Sequence, residues 1–216
     1  MTKLSRRGVL LFLVLLSITG PAKRRPRHQD QQQSAQPRSF DYYVLTLSWS
    51  PEFCHSHAAN GQCVSGHFGF VVHGLWPQFN DGYPENCSAA PGLSNLSNMT
   101  DIMPDPKLVE HEWTTHGTCS GLDPESYFKL VRQAFVSIKV PARFTNPREE
   151  VSLTPSQIKQ EFLESNPRLS GGEVVVSCGN NYLTGVSICL QKNLDPRDCG
   201  SLRSCRANIV RIPPVR

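Results

Sequence analysis

The chain has 216 residues, of which 38% are hydrophobic and 19% are charged, which suits one folded domain with a sizeable core and excludes a largely disordered protein. The formal net charge is +4, but residues 1–38 hold eight of the 22 basic residues and one of the 18 acidic residues, which leaves 14 basic and 17 acidic residues in 39–216. The overall charge therefore gives no support for a nucleic-acid-binding surface, and any such function has to rest on a local site.

The N-terminal residues have the pattern of an export signal. A basic start, MTKLSRRG, precedes a ten-residue apolar run from Val9 to Ile18, which is too short to cross a bilayer as a helix. We therefore predict a signal peptide over residues 1–22, with a membrane anchor as the weaker alternative. SRRGVLL is also weakly similar to a twin-arginine export signal. Residues 23–39 are basic and rich in glutamine, which predicts a disordered leader before a single domain over 40–216.

All eight cysteines lie in the predicted domain. An even number of cysteines after an export signal indicates up to four disulfides in an oxidising compartment. We therefore expect a secreted or periplasmic protein without stable membrane association once the signal is removed. A cysteine-bound metal would need close pairs such as C-x-x-C, and the shortest gap, between Cys199 and Cys205, holds five residues. The cysteines are Cys54, Cys63, Cys87, Cys119, Cys178, Cys189, Cys199 and Cys205.

The hydrophobic pattern predicts strands at both ends of the domain and helices between them. Segment 40–49 is rich in β-forming residues, and 67–76 predicts a second strand that ends before a turn at Pro77. Three helix starts share a capping residue followed by proline. Strands, then helices, then strands indicate an α+β fold with a central antiparallel sheet flanked by helices. The predicted helices begin at Asp105–Pro106, running to about His116, at Asp123–Pro124 and at Thr154–Pro155, and the late strands are 173–178 and 183–190.

Residues 80–105 contain glycine, proline, asparagine and serine with little periodicity, which predicts a long surface segment. N-x-S/T sequons begin there at Asn86, Asn95 and Asn98. They would accept glycans in a eukaryotic secretory pathway and would have no such role in a bacterium.

The segment HEWTTHGTCSG, residues 111–121, concentrates groups that carry chemistry. A zinc protease of the H-E-x-x-H type places its histidines four residues apart, whereas His111 and His116 are five apart and would lie roughly 140° apart around a helix. This spacing argues against a shared metal ion. Glu112 and His116 are four residues apart and share a face, so the carboxylate is expected to orient the imidazole and raise its pKa. The segment therefore favours acid–base chemistry without a metal.

His73 is the candidate for the second titrating group of such a site. It lies in FVVHGLWPQ, at the end of a predicted strand, where a side chain can face a cleft. A lone histidine in a strand is more often a hydrogen-bonded structural residue. The presence of two histidine-containing segments makes the catalytic interpretation the stronger one.

These segments resemble the ribonuclease T2 family. HGLWP (73–77) and HEWTTHGTC (111–119) are similar to its two active-site segments, and YYVLTLSWSPEFC (42–54) is similar to its first core strand. The cysteine-containing stretch 176–205 is similar to its C-terminal hairpin, and the similarity covers about residues 40–212. The resemblance implies a ribonuclease T2-like α+β fold with four disulfides. The implied pairs are Cys54–Cys63, Cys87–Cys119, Cys178–Cys205 and Cys189–Cys199.

The resemblance also implies an activity, the metal-independent cleavage of single-stranded RNA. The RNA 2′-OH attacks its own 3′ phosphodiester to give a 2′,3′-cyclic phosphate, which is then hydrolysed to a 3′-phosphate. DNA lacks the 2′-OH and should not be a substrate. We expect no cofactor and a monomer that acts on RNA.

The resemblance implies catalytic roles for three residues and a substrate-binding role for a fourth. His116 would be the base and His73 the acid of the first step. His111 would bind phosphate, and Glu112 would support His116 and the transition state. These roles fit the need for one neutral and one protonated imidazole near pH 5–7.

Aromatic residues near His73 are candidates for base binding. Trp76 would stack on a base, as aromatic side chains do in single-strand recognition. Tyr83 or Phe79 would complete that sandwich, and Gln78 would contact a base. Trp113 is expected to pack in the core instead.

Thr115 departs from the family pattern, in which lysine is common before the second histidine. A hydroxyl replaces a charge there, and charge-assisted hydrogen bonds are roughly twice as strong as neutral ones. Thr115 would still contact the substrate, in a slower enzyme unless another cation fills the gap. The main alternative is a secreted binding protein on the same scaffold that has lost RNA cleavage. A metallohydrolase is the third hypothesis, which the histidine spacing opposes.

Overall fold

The computed structural model describes residues 39–216, and the predicted signal peptide and nearly all of the predicted leader lie outside them. Among the described residues, no helix is long and apolar enough to span a membrane. The strands are β1 Tyr42–Trp49, β2 Phe70–Gln78, β3 Val151–Leu153, β4 Val174–Gly179, β5 Tyr182–Leu190 and β6 Val210–Ile212. The helices are α1 Ser50–Ser56, α2 Gly61–Ser65, α3 Pro106–Thr115, α4 Pro124–Val136, α5 Ala142–Thr145 and α6 Pro155–Ser165.

The six strands form one sheet in the order β2-β1-β5-β6-β3, with β4 also paired to β5. All pairings are antiparallel except that of β5 with β6, which are parallel where Tyr182 pairs with Arg211. The α+β architecture predicted from the sequence is therefore confirmed.

The main core lies between one face of the sheet and the helices. The pleat of β1 directs Leu45, Leu47 and Trp49 into it, and all three are fully buried. Helix α4 covers them with a face that includes Tyr127 and Val131, which are also buried. This leaves the opposite face of β1 and β2 available for polar residues.

The three predicted helix starts are present with their caps. Asp105 accepts a hydrogen bond from the backbone of Lys107, and Asp123 accepts one from the backbone of Ser126. Thr154 forms a reciprocal capping box. Each cap satisfies backbone N–H groups that the first helical turn leaves unpaired.

Two local predictions are wrong. Strand β2 does not end before Pro77 but continues to Gln78, and Pro77 pairs with Tyr43. An edge strand tolerates proline because one side of it needs no ladder hydrogen bond. The segment 80–105 is not wholly at the surface, since Met99 and Met103 near its end are buried in the core.

Four disulfides join the pairs that the family resemblance implied. Cys54–Cys63 connects α1 to α2, and Cys87–Cys119 connects the long segment to the short 3-10 turn after α3. Cys178–Cys205 and Cys189–Cys199 fasten the C-terminal residues to β4 and β5. Every cysteine is therefore paired.

Candidate active site

A bulge in β2 brings His73 to the polar face of the sheet. Thr46 pairs with Gly74 and Leu47 pairs with Val72, so His73 is one extra residue between these two pairs. A bulge re-aims the side chains around it. Val72 stays fully buried, while the His73 side chain is 40% exposed. The imidazole is thus partly exposed, on a strand whose neighbouring residues Val72 and Leu75 are buried.

Glu112 on α3 contacts two residues of this strand. Its Oε2 accepts a hydrogen bond from Trp76 Nε1 at 2.7 Å, and its Oε1 lies 3.6 Å from His73 Nε2. Gly74 makes the approach possible, because a Cβ there would overlap both Glu112 Oε2 and Trp76 Nε1. Glycine in HGLWP therefore serves close packing of the carboxyl group and the indole.

The Glu112 carboxyl is 1% exposed, and its Oε1 has no hydrogen-bond partner among the described residues. Burial raises the pKa of Glu112 to about 8, and the hydrogen bond from Trp76 opposes this only in part. His73 does not counteract this effect near neutral pH, although it lies 3.6 Å away, because its own pKa is lowered and its ring is then neutral. A buried carboxyl that keeps its proton near neutral pH can donate a hydrogen bond.

His116 follows directly after α3, where the backbone leaves the helix with φ −116° and ψ −45°. Its ring centroid lies 5.3 Å from that of Trp76. Burial, together with the charges of His111 and His73, lowers the pKa of His116 to about 4. The expectation that Glu112 raises this pKa is therefore wrong, and the effect of burial is the larger one. An imidazole that stays neutral near neutral pH can accept a proton.

His111 and Thr115 lie at the exposed edge of the cluster. The Thr115 hydroxyl is 3.4 Å from His111 Nδ1, and the His111 and His116 ring centroids are 6.3 Å apart. Burial and the nearby His111 charge lower the pKa of His73. The three imidazoles therefore act on one another electrostatically.

The spacing of His111 and His116 does not exclude a shared metal ion, contrary to the prediction from the sequence. Helix α3 ends at Thr115, so the roughly 140° separation of a continuous helix does not apply to His116. One possible ligand atom from each of His111, Glu112 and His116 lies within 4.8 Å of the others. These three residues therefore have a spacing that suits a metal ion.

The predicted base-binding residues differ in how far their side chains are exposed. Trp76 is partly exposed, and its ring centroid lies 5.4 Å from that of His73 and 5.3 Å from that of His116. Tyr83 is 58% exposed, whereas Phe79 packs partly against the core. Gln78 is buried, and its amide donates to the carbonyl of the preceding residue, so this conformation does not offer it to a base.

Trp113 is buried in the core, and its indole N–H donates to the carbonyl of Ala90 at 2.8 Å. This placement agrees with the packing role expected from the sequence. The contact also attaches α3 to the long segment 80–105, which helps to fix the helix that carries His111 and Glu112.

The disulfide Cys87–Cys119 closes the cluster on the side of α3. Next to it, the Asn86 N–H donates to the Thr115 carbonyl at 2.8 Å, and the Cys87 N–H donates to Thr118 Oγ1 at 3.2 Å. The backbone around His116 is thus held by a covalent bond and two hydrogen bonds.

Sequence reasoning missed Ser48, whose hydroxyl oxygen lies 2.9 Å from His73 Nδ1. The signal was its alternation with Leu47 and Trp49, which places Ser48 on the face opposite the core. The partner could not be predicted, because it depends on the register between β1 and β2.

The model of the ribonuclease T2 family matches residues 40–199. A ribonuclease of Aeromonas hydrophila is 37% identical over 117 residues, which are 53% of this chain and 54% of that protein. A probable ribonuclease of Haemophilus influenzae is 29% identical over 180 residues, which are 74% of this chain and 61% of that protein. The chain thus spans less than two thirds of the length of either relative.

The fold is also similar to solved structures. RNase NT, solved in complex with 5′-AMP, superposes with a TM-score of 0.64 at 23% identity, covering 81% of this chain and 98% of that one. This similarity concerns the fold alone. Because the family model covers most of the domain, from before β1 to beyond β5, the chain belongs to the ribonuclease T2 family.

Proposed function

We propose that the protein is an endoribonuclease that cleaves single-stranded RNA without a metal ion. The observation that carries this proposal is that two imidazoles, those of His73 and His116, both lie next to the Trp76 ring, whose indole N–H bonds to Glu112. Two imidazoles in one cluster can supply a base and an acid. Family membership and the similarity to the Aeromonas hydrophila ribonuclease support the same activity.

In the first step, neutral His116 takes the proton of the 2′-OH, and the 2′ oxygen forms a bond to phosphorus. The bond from phosphorus to the 5′ oxygen breaks, and protonated His73 gives its Nε2 proton to that oxygen. The products are a 2′,3′-cyclic phosphate and a free 5′-OH. In the second step the roles reverse: His73 takes a proton from water, and the water oxygen forms a bond to phosphorus. The bond from phosphorus to the 2′ oxygen breaks, and His116 returns its proton to that oxygen. The final product is a 3′-phosphate.

The negative phosphodiester is part of this mechanism. In the free protein, burial lowers the pKa of His73, which disfavours the protonated acid. An anion bound beside the ring favours the imidazolium. Substrate binding therefore prepares His73 for proton donation, and His111 at the exposed edge supplies a phosphate contact.

Glu112 serves best as a neutral hydrogen-bond donor. An ionised carboxylate would repel the phosphodiester, whereas the raised pKa of Glu112 keeps the proton on the carboxyl group near neutral pH. Its Oε1 is buried and has no hydrogen-bond partner among the described residues, so a phosphoryl oxygen that displaces the side chains covering it would accept a hydrogen bond from it as charge develops in the transition state. Thr115 adds a neutral hydroxyl nearby.

The substrate and location follow from the same chemistry. Trp76 and Tyr83 provide aromatic surface for an unpaired base, which favours single-stranded RNA, and DNA lacks the attacking hydroxyl. Four disulfides fit an oxidising compartment outside the cytosol, either extracellular or periplasmic. We propose that the protein acts there as a monomer.

The test is cleavage of single-stranded RNA in excess EDTA, with the product ends identified. The wild-type protein should give 2′,3′-cyclic ends, and His116→Ala should be slower by at least about 100-fold because general base catalysis is lost. His55→Ala removes an exposed histidine of α1 and should cleave like the wild type.

Two outcomes would contradict the proposal in different ways. Cleavage that chelation abolishes would indicate a metal ion on His111, Glu112 and His116, whose ligand atoms are suitably close. A folded protein that binds RNA but cleaves it under neither condition would indicate a binding protein on this scaffold.

A further inference from the structure

Ser48 is a polar neighbour of the cluster that has no place in the mechanism above. It occupies the polar face of β1, between the buried Leu47 and Trp49, and its hydroxyl oxygen lies 2.9 Å from His73 Nδ1. The other ring nitrogen, Nε2, faces Glu112 Oε1 at 3.6 Å. The imidazole therefore has one nitrogen on the strand and the other toward the cluster.

This contact depends on the bulge. Counting back from Leu75, an unbroken alternation would direct position 73 to the core face and position 72 to the polar face. With the bulge, His73 lies on the same face as Ser48. The bulge therefore places the His73 ring within hydrogen-bond distance of the Ser48 hydroxyl.

We infer that Ser48 is a positioning residue, whose hydroxyl oxygen accepts a hydrogen bond from His73 Nδ1–H and so reserves Nε2 as the atom that exchanges protons with the substrate. The inference rests on the proposed role of His73 as acid in the first step and base in the second. In both steps Nε2 gains or loses the proton while Nδ1 keeps its own. A histidine nitrogen's protonation is set by the hydrogen bond that the other nitrogen makes.

A Ser48–His73 hydrogen bond in the opposite direction would put the proton of neutral His73 on the other nitrogen. If the Ser48 hydroxyl instead donates to Nδ1, neutral His73 carries its proton on Nε2, and Nε2 cannot act as a base in the second step. The groups that face His73 are Ser48 from β1, the Trp76 ring from β2 and Glu112 from α3, with His111 and His116 acting through charge. Replacement of Ser48 by alanine changes only the first of these.

The first measurement is the tautomer of His73 by nitrogen NMR, which does not require activity. Neutral His73 should carry its proton on Nδ1 in the wild type and in Ser48→Thr, which keeps the hydroxyl. In Ser48→Ala the ring should populate the Nε2–H form. Wild-type His73 with its proton on Nε2 would overturn the inference whether or not the protein cleaves RNA.

The second measurement is the pH profile of kcat. Ser48→Ala should lower kcat by about three- to tenfold with little change in KM, as expected for the loss of one neutral hydrogen bond. Because the lost bond favours the protonated acid, the descending limb should move to lower pH by up to about one unit. A limb that moves to higher pH, or an unchanged kcat, would contradict the inference.

Thr46→Val is the matched control. Thr46 lies on the same face of β1, but its hydroxyl pairs with Ser187 at 3.0 Å and not with His73. This variant should keep the wild-type pH profile and tautomer. Ser48→Thr should restore most of the activity lost in Ser48→Ala. If the wild type cleaves no RNA while the NMR result holds, the proposed function fails and the hydrogen bond stands.

Discussion

Position 115 sets how much positive charge the cluster can offer to a phosphorane-like transition state. The Thr115 hydroxyl lies 3.4 Å from His111 Nδ1, at the exposed edge of the site, so a longer side chain there can reach the phosphate position. His116 is already neutral near neutral pH, since its pKa is about 4. A new cation would therefore not remove the base form of His116.

Thr115→Lys should accordingly raise kcat for RNA cleavage by about three- to tenfold, because a charge-assisted hydrogen bond replaces a neutral one. Steady-state kinetics near pH 6 would measure it. Thr114→Lys is the control, since Thr114 is exposed on the same helix and its hydroxyl bonds back to the Glu110 carbonyl. Equal rates for the two variants would mean that net charge alone, acting on substrate association, explains any gain.

The geometry of the site depends on how closely strand β2 and helix α3 approach each other. Gly74 is the contact point, because only a residue without a Cβ leaves room for the Trp76–Glu112 hydrogen bond. The same approach buries the Glu112 carboxyl and so raises its pKa. A change in one strand residue therefore alters the chemistry of a helix residue.

Gly74→Ala should separate Trp76 from Glu112, lower kcat by at least about tenfold and reduce the free energy of unfolding by about 1–3 kcal/mol through overpacking. Denaturant unfolding and kinetics would measure both effects. Gly179→Ala is the control, since a Cβ there meets only Thr184 at an ordinary 3.4 Å. A Gly74→Ala protein with wild-type kinetics would show that the close approach is dispensable.

Some features of the helices and strands could be predicted from the sequence, and others could not. The helix starts at Asp123 and Thr154 were predictable because caps act over three residues. The passage of β2 through Pro77 was not, because it depends on β2 being an edge strand. The Ser48–His73 contact joins residues 25 apart and depends on a bulge that no local pattern shows.

The sequence likewise identified some of the site residues correctly and others incorrectly. His73 and His116 were found from motifs, and the structure brings both to one cluster. The effect of Glu112 on His116 was misjudged, because sequence separation indicates a shared face but not burial. Gln78 was proposed for base contact from its distance along the chain, whereas its side chain is buried. The predictions for Glu112 and Gln78 failed because burial depends on packing across the whole fold, which local sequence patterns do not show.

For the whole molecule, two buried groups make stability depend on pH in opposite directions. Folded Glu112 keeps its proton up to about pH 8, whereas the ordinary value is 4.5, so the folded state binds more protons and stability falls as pH rises across this window. Folded His116 takes a proton only below about pH 4, against an ordinary 6.5, so stability falls as pH drops between these values.

Glu112→Gln separates the two effects, because glutamine cannot lose a proton in the buried position. Between pH 5 and pH 8, the free energy of unfolding of the wild type should fall by roughly 2–4 kcal/mol more than that of the variant. Urea unfolding at several pH values would measure this. Glu110→Gln removes an exposed carboxylate from the same helix and should follow the wild type. Parallel curves for wild type and Glu112→Gln would mean that the carboxyl is ionised in the fold, and Glu112 would then have to act on phosphate as a base or through a bound cation rather than as a donor.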